Sequence, residues 1–590
     1  MHRRWDGRRG ALRGGALSDA PDLVVRGGTV VDGSGRAPFT ADVVVRGDRI
    51  VGLGRHDGTA REVIDARGLL VTPGFVDVHT HLDAQLTWDP AATISTAHGV
   101  TAVVVGNCGV GFAPCRARDR DYLTFLMEGV EDIPRAAIAA GMRWRWETFP
   151  EYLTALAAGG LGPNVGAYAA HAPLRVFTMG ERGATEATPS QDELAAMRHA
   201  VADALAAGAL GVSTGRTTMH RTPAGDAVPG TFADREELLA LAEPLGRLGA
   251  GVFQVIPYGA AGEAAGGYAR DHDLLVEIAR RIGRPVSVGL AQVRQYPEVW
   301  RSALDAIATA AGAGARIVPQ VAPRSIGLVL GFGGLLSPLL LFPAAGDLVG
   351  RPEVEVLAAL GDPAVRARLA ASLDPGGEIM AGLATLDRVF PLEDRGVLAY
   401  ETDRARSVVG LAEAAGTTPG AVILERLVAS ELRALFLVAL YNPDLEAAGA
   451  MLAHPLSVPG LGDAGAHTSQ TCDVGVPTFI LAYWVRHRGA LPLPAAVRKL
   501  TFEAASTWGI ALRGLVRPGW YADLNVIDLG RLDLTLPEVR HDLPGGATNL
   551  VQRARGYVAT IVNGQVVMRD GISTGALPGR VLRNEAAAPN

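Results

Sequence analysis

The sequence predicts an α/β fold: a TIM-like (β/α)8 barrel with a small β-sandwich domain built from both chain ends. Three observations predict it. Short apolar runs alternate with Ala-rich helical stretches through the middle of the chain, the pattern of parallel βα units. Eight such runs occur, beginning near Phe75, Thr101, Val165, Leu210, Val252, Val286, Ile317 and Leu456. Both ends carry alternating β-branched segments instead, as in Leu23-Val24-Val25 and Val558-Ala559-Thr560-Ile561-Val562.

In chain order, residues 1–20 are Arg-rich and lack the apolar core of a secretory signal, so they are expected to be a disordered extension; a transit peptide is the alternative. Residues 21–72 and 510–583 form the expected sandwich, with turns at Gly33-Ser34-Gly35 and Gly47-Asp48. Residues 73–509 form the barrel. Two of its helices are signposted by Ser190-Gln191-Asp192-Glu193, a capping box, and by the acidic start Asp234-Arg235-Glu236-Glu237. The stretch 326–453 exceeds one βα connection and reads as an insertion over the barrel mouth. Its first part, 326–345, carries no charge, but glycines and prolines interrupt it, which favours a buried or pocket-lining loop over a membrane helix.

With 590 residues, 48% of them hydrophobic, the chain can bury a large core. A net charge of -6 gives no nucleic-acid footprint and no polybasic membrane patch. Three cysteines, Cys108, Cys115 and Cys472, cannot make a disulfide framework, so a reducing cytoplasm is expected.

The chemistry is concentrated at the strand ends, where barrels of this kind place it. In Val78-His79-Thr80-His81 the two histidines lie two apart after a strand, so both imidazoles face one side and can share a metal ion. Asp463 ends the last proposed strand in Pro459-Gly460-Leu461-Gly462-Asp463, and Cys108 sits in Gly106-Asn107-Cys108-Gly109. Together with the Thr72-Pro73-Gly74 turn and Gly99-Val100-Thr101, these motifs resemble the amidohydrolase superfamily, in its D-aminoacylase-like (N-acyl-D-amino-acid deacylase) branch. The resemblance spans about residues 22–583. It implies that His79, His81 and Cys108 bind metal, and that Asp463 both binds metal and takes a proton from the attacking water.

The departures from that family are as specific. Relatives carry histidine ligands after strands five and six, where this chain reads Val252-Phe253-Gln254 and Val286-Ser287-Val288-Gly289-Leu290-Ala291-Gln292. A neutral amide is a poor zinc ligand beside imidazole or thiolate; Gln254 and Gln292 are candidates for substrate binding, with metal contact and simple packing the open alternatives. Many binuclear relatives bridge two metals with a carbamylated lysine. Lys499, the one lysine here, follows the last strand and is not placed to do so. The expectation is one divalent metal ion per chain, Zn²⁺ first and another divalent metal as the alternative. His171 matches a relatives' Gly-His-Gly-Thr-Leu-Arg region and, with His220 after strand four and His467 beyond Asp463, is a further substrate-binding candidate. Arg324, just after strand seven, is the expected anchor for a substrate carboxylate.

The function these residues imply is metal-dependent hydrolysis of a non-peptide amide, an N-acyl amino acid or a related compound. The expected partners are that small molecule and, in a homo-oligomer, further copies of the chain. Two alternatives stand beside it. One is a one-metal deaminase or cyclic-amide hydrolase, with aromatics near Phe253 and Tyr258 taking a planar ring. The other is a metal-free barrel that binds a ligand or partner.

Overall fold

The computed structural model describes residues 20–264, 266–373, 378–379, 384–471 and 473–587. The expected disordered extension falls outside them, except for Ala20, and so does Cys472. Eight strands run parallel in one sheet: β1 (Phe75–Asp77), β2 (Val100–Val105), β3 (Asn164–Ala170), β4 (Gly211–Gly215), β5 (Val252–Ile256), β6 (Val286–Gly289), β7 (Ile317–Val321) and β8 (Val458–Pro459). They pair in sequence order from β1 to β8. All eight begin within two residues of the positions read from the apolar runs.

Side chains alternate along these strands. Val252 and Val318 join Val76, Ala102, Leu210 and Val458 in one apolar cluster, while Phe253, Val286 and Val288 pack in the large core shared with the surrounding helices. The helices form where the caps indicated. Ser190 and Glu193 complete a capping box before Gln191–Ala207, and the Asp234 carboxylate accepts from the Glu237 N–H before Arg235–Leu248.

The sheet becomes a barrel through a seam beyond the strand ends. Thr80 and Ala464 form a parallel bridge, and the His81 N–H donates to the Ala464 carbonyl at 2.8 Å. On its other side the Thr80 N–H donates to the Val104 carbonyl at 3.2 Å. The extensions of the first and last strands are thereby held at one point of the barrel rim.

Both chain ends contribute to a separate nine-stranded sheet. Leu23–Val30, Phe39–Arg46, Arg49–Gly54, Glu62–Asp65 and Leu70–Pro73 meet Leu524–Ile527, Tyr557–Val562, Gln565–Arg569 and Ile572–Ser573. Its buried core draws on Val25, Val43 and Ile50 from one end and Val526 and Ile561 from the other. One hairpin, Glu538–Leu543 with Ala547–Val551, leaves this sheet and reaches the barrel mouth, where the Leu550 N–H donates to Thr468 O at 2.7 Å.

The segment between β7 and β8 folds around its own core. Ile326–Leu330, Val389–Leu392 and Leu435–Tyr441 make a three-stranded antiparallel sheet, and Leu330, Leu339, Phe342, Leu369 and Ile423 pack with it. The uncharged run 326–345 is therefore a strand and two short 3-10 turns that fill this core, not a pocket-lining loop. No helix among the described residues is long and apolar enough to cross a membrane.

Gly465 shows how tight the seam is. Its φ is +95°, and a Cβ there would lie 2.7 Å from the His81 carbonyl oxygen. Gly465→Ala is expected to cost about 3 kcal/mol in urea unfolding, through left-handed strain plus overpacking. Gly489→Ala is the control, with φ +59° but nothing within 4 Å of the added carbon; it should cost about 1–2 kcal/mol. Equal losses at both sites would contradict the seam argument.

Candidate metal centre

His79 and His81 project from the seam. The Thr80 hydroxyl turns the other way and donates to Val104 O at 2.9 Å, so the two imidazoles share a side, with centroids 5.5 Å apart. Cys108 follows β2 in a sharp turn between Gly106 and Gly109 and has a left-handed φ of 44°. Its sulfur lies 3.0 Å from His79 Nε2. Asp463, also left-handed at φ 44°, places Oδ1 3.1 Å from the same nitrogen and 3.7 Å from His81 Nε2. Two non-glycine residues held in this conformation store about 1–3 kcal/mol each, a cost that clusters at functional sites.

These atoms fit a metal ion. His79, His81 and Cys108 form the one group of this kind among the described residues, each offering a ligand atom within 4.8 Å of the others. Both ring nitrogens of His81 and Asp463 Oδ1 are buried without a hydrogen-bond partner, a costly arrangement unless a cation completes it. Nitrogen, sulfur and carboxylate oxygen are the donors zinc takes. Burial pushes the Asp463 carboxyl upward, but His79 and His81 outweigh it and hold its pKa below the usual range. Burial likewise opposes a charged His81, yet Glu131, Asp463 and Cys108 together raise its pKa well above the usual value. The pocket is electronegative. Asp463 keeps 21% of its side chain exposed, so the site opens on that side. A cavity of about 10 Å³ beside it, lined also by Gln85, Thr468 and Asn549, has room for about one water.

Two residues that the sequence reading missed support the histidines. Gln320 Oε1 lies 2.6 Å from His79 Nδ1. Glu131 Oε1 lies 3.2 Å from His81 Nδ1, at ion-pair distance but outside hydrogen-bonding geometry. Gln320 sits two residues beyond the inward-facing Val318, so period-two alternation could have found it. Glu131 and Asp132 end the helix Arg120–Glu131 with two acids, which the helix dipole disfavours. That mismatch was the available signal.

The remaining candidates divide. His467 faces the acidic pair, with Nδ1 2.5 Å from Asp132 Oδ2 and Nε2 4.0 Å from Glu131 Oε2. His220 stands near enough to feel Glu131, His467, His81 and Asp463; burial dominates and lowers its pKa. Gln254 lies buried in the barrel with both amide atoms unpartnered. The others are engaged elsewhere. His171 uses both nitrogens, at 2.9 Å from Thr214 Oγ1 and 2.9 Å from Glu237 Oε1, and Arg175 pairs with the same carboxylate. Arg324 is buried, ion-paired to Asp473 at 2.9 Å and stacked 3.9 Å over Tyr400, so the carboxylate it grips is the protein's own. Gln292 binds the root of the insertion: its N–H donates to Asn442 Oδ1 at 2.7 Å and its Oε1 accepts from the Asp444 N–H at 3.1 Å. Strand β6 ends at Gly289, before Gln292 can turn inward. Phe253 packs in the outer core and Tyr258 lies under Arg270, so neither supplies the ring pocket expected of them.

Known proteins resemble this chain over most of its length. The amidohydrolase family model matches residues 62–568. The N-acyl-D-aspartate deacylase of Alcaligenes xylosoxydans xylosoxydans is 31% identical over 604 residues, covering 97% of this chain and 98% of that protein. A D-aminoacylase crystal structure, described as defining a novel subset of amidohydrolases, is 26% identical with a TM-score of 0.64, covering 95% of this chain and all (100%) of that one. A second D-aminoacylase structure, 25% identical with a TM-score of 0.63 and the same coverage of 95% and 100%, concerns a binuclear metal centre with one-metal activation and second-metal attenuation. The chain belongs to the amidohydrolase family and is a metal-dependent hydrolase of non-peptide C–N bonds.

Proposed function

We propose that the protein deacylates N-acyl-D-amino acids, using one zinc ion held by His79, His81, Cys108 and Asp463. The observation that carries this reading is that His79 Nε2 lies 3.0 Å from Cys108 Sγ and 3.1 Å from Asp463 Oδ1. The full-length similarity to an N-acyl-D-aspartate deacylase supports the substrate class. When bound, zinc polarises the acyl carbonyl and makes its water acidic near neutral pH. Asp463, ionised and partly open to solvent, takes a proton from the attacking water as the water oxygen bonds to the acyl carbon. It then returns that proton to the departing nitrogen as the C–N bond breaks, leaving a carboxylic acid and a free amine. We assign substrate contact to His220, His467 and Gln254.

One metal, not two, is favoured by the residues around the site. Gln254 offers only a neutral amide. Lys499 spends its ammonium on His454 O at 2.9 Å and Ser457 O at 2.8 Å and cannot bridge a second ion. The thiolate favours zinc over magnesium or manganese. Cys108 and Cys115 are free thiols, which suits the reducing cytoplasm where we place the protein. We also propose 21–72 with 510–583, and 73–509 with its insertion at about 326–453, as the domain division, the hairpin over the barrel mouth being an excursion of the first.

Two measurements test this reading. Zinc-loaded protein should release free amino acid from N-acyl-D-amino acids, and Asp463→Asn should lower kcat by about 10²–10⁴-fold; undiminished turnover in that variant, or release of ammonia in place of an amino acid, would sink it. Metal analysis after exhaustive dialysis should return one zinc per chain, and two equivalents would refute the one-metal site.

A further inference from the structure

We infer that Gln320, oriented by Ser287, is a positioning residue that fixes His79 in the tautomer able to bind metal through Nε2. The inference rests on the metal site proposed above. It follows from hydrogen-bond polarity along one buried chain of groups. The Val318 carbonyl can only accept, so the Ser287 hydroxyl, 3.2 Å away, must donate to it. Ser287 Oγ then has only lone pairs to offer Gln320, whose Nε2 lies 2.9 Å from it and must donate. That leaves Gln320 Oε1 turned toward His79 Nδ1 at 2.6 Å. An amide oxygen only accepts, so Nδ1 of His79 carries a proton, and Nε2, beside Cys108 and Asp463, is the nitrogen left to offer its lone pair to a metal ion.

The reverse orientation is worse at both ends. A flipped amide would set its N–H against Nδ1, force the imidazole proton onto Nε2 and block the ligand atom. It would also leave an amide oxygen against a hydroxyl whose proton is already committed to Val318. Ser287, Gln320 and His79 are all fully buried, so water cannot repair a mismatch. Gln254 is an internal contrast. It is equally buried, but neither of its amide atoms has a partner.

Zinc affinity of the full chain, measured by competition with a chromophoric chelator, tests the inference without relying on turnover. Gln320→Leu should weaken zinc binding by about 10–100-fold, the usual effect of losing a ligand's supporting partner. Gln320→Glu keeps an acceptor for the Nδ1 proton and should restore most of that loss. Ser287→Ala frees the amide to turn and should weaken binding by a smaller factor. A folded Gln320→Leu protein with parental affinity, or a Gln320→Glu protein as weak as Gln320→Leu, would overturn the positioning role. If Gln320→Leu does not fold, Gln320→Glu and Ser287→Ala decide: parental affinity in Ser287→Ala together with a weakened Gln320→Glu overturns it. A parent protein that takes up no zinc overturns the metal site itself, and this inference with it, an outcome distinct from a parent that binds while its variants match it.

Discussion

The hydrogen bond from the His81 N–H to the Ala464 carbonyl, at 2.8 Å, is the constraint on which the site depends. It joins the first and last extensions of the barrel and sets His79, His81 and Asp463 beside one another, although Asp463 comes from the far end of the barrel sequence. Closing so long a loop costs entropy, and the strands between the two ends supply the contacts that offset it. The left-handed turn at Asp463 and the close approach of Gly465 to the His81 backbone are local consequences of that closure. Chemistry and architecture meet at one bridge.

The interior of the barrel changes character along its axis. Below, Val252, Val318, Leu210 and Val458 belong to an apolar cluster. Above them, Ser213, Gln254, Ser287 and Gln320 follow one another on neighbouring strands, all buried. A buried polar group without a partner costs about 1–3 kcal/mol, so this layer is expensive unless something uses it. Gln320 and Ser287 are satisfied through His79 and Val318, whereas Gln254 is not.

Much of this was legible in the sequence, for identifiable reasons. Period-two alternation located the strands and gave the shared face of His79 and His81, because both depend only on local geometry. The positions of Cys108 and Asp463 came from motif resemblance, since nothing local distinguishes a ligand cysteine from an inert one. What the sequence leaves illegible depends on distant partners. Arg324 suits a substrate carboxylate by residue type, whereas its ion pair to Asp473 joins residues far apart in the chain. The role of Gln292 stays open in the sequence, because nothing there marks the end of β6 at Gly289. Gln320 and Glu131 acquire their roles only when the barrel closes and when the helix ending at Glu131 reaches His81. The insertion was visible by its length, but its own core was not, because packing between its sheet and helices leaves no short-range pattern.

X-ray absorption at the zinc edge is the most direct measurement of whether the seam gathers the metal ligands. One sulfur scatterer is expected at about 2.3 Å and nitrogen or oxygen scatterers at about 2.0–2.2 Å, distances typical of zinc sites. The sulfur should vanish in Cys108→Ser. A zinc-loaded protein with no sulfur in its first shell, or with sulfur that persists in that variant, would contradict it.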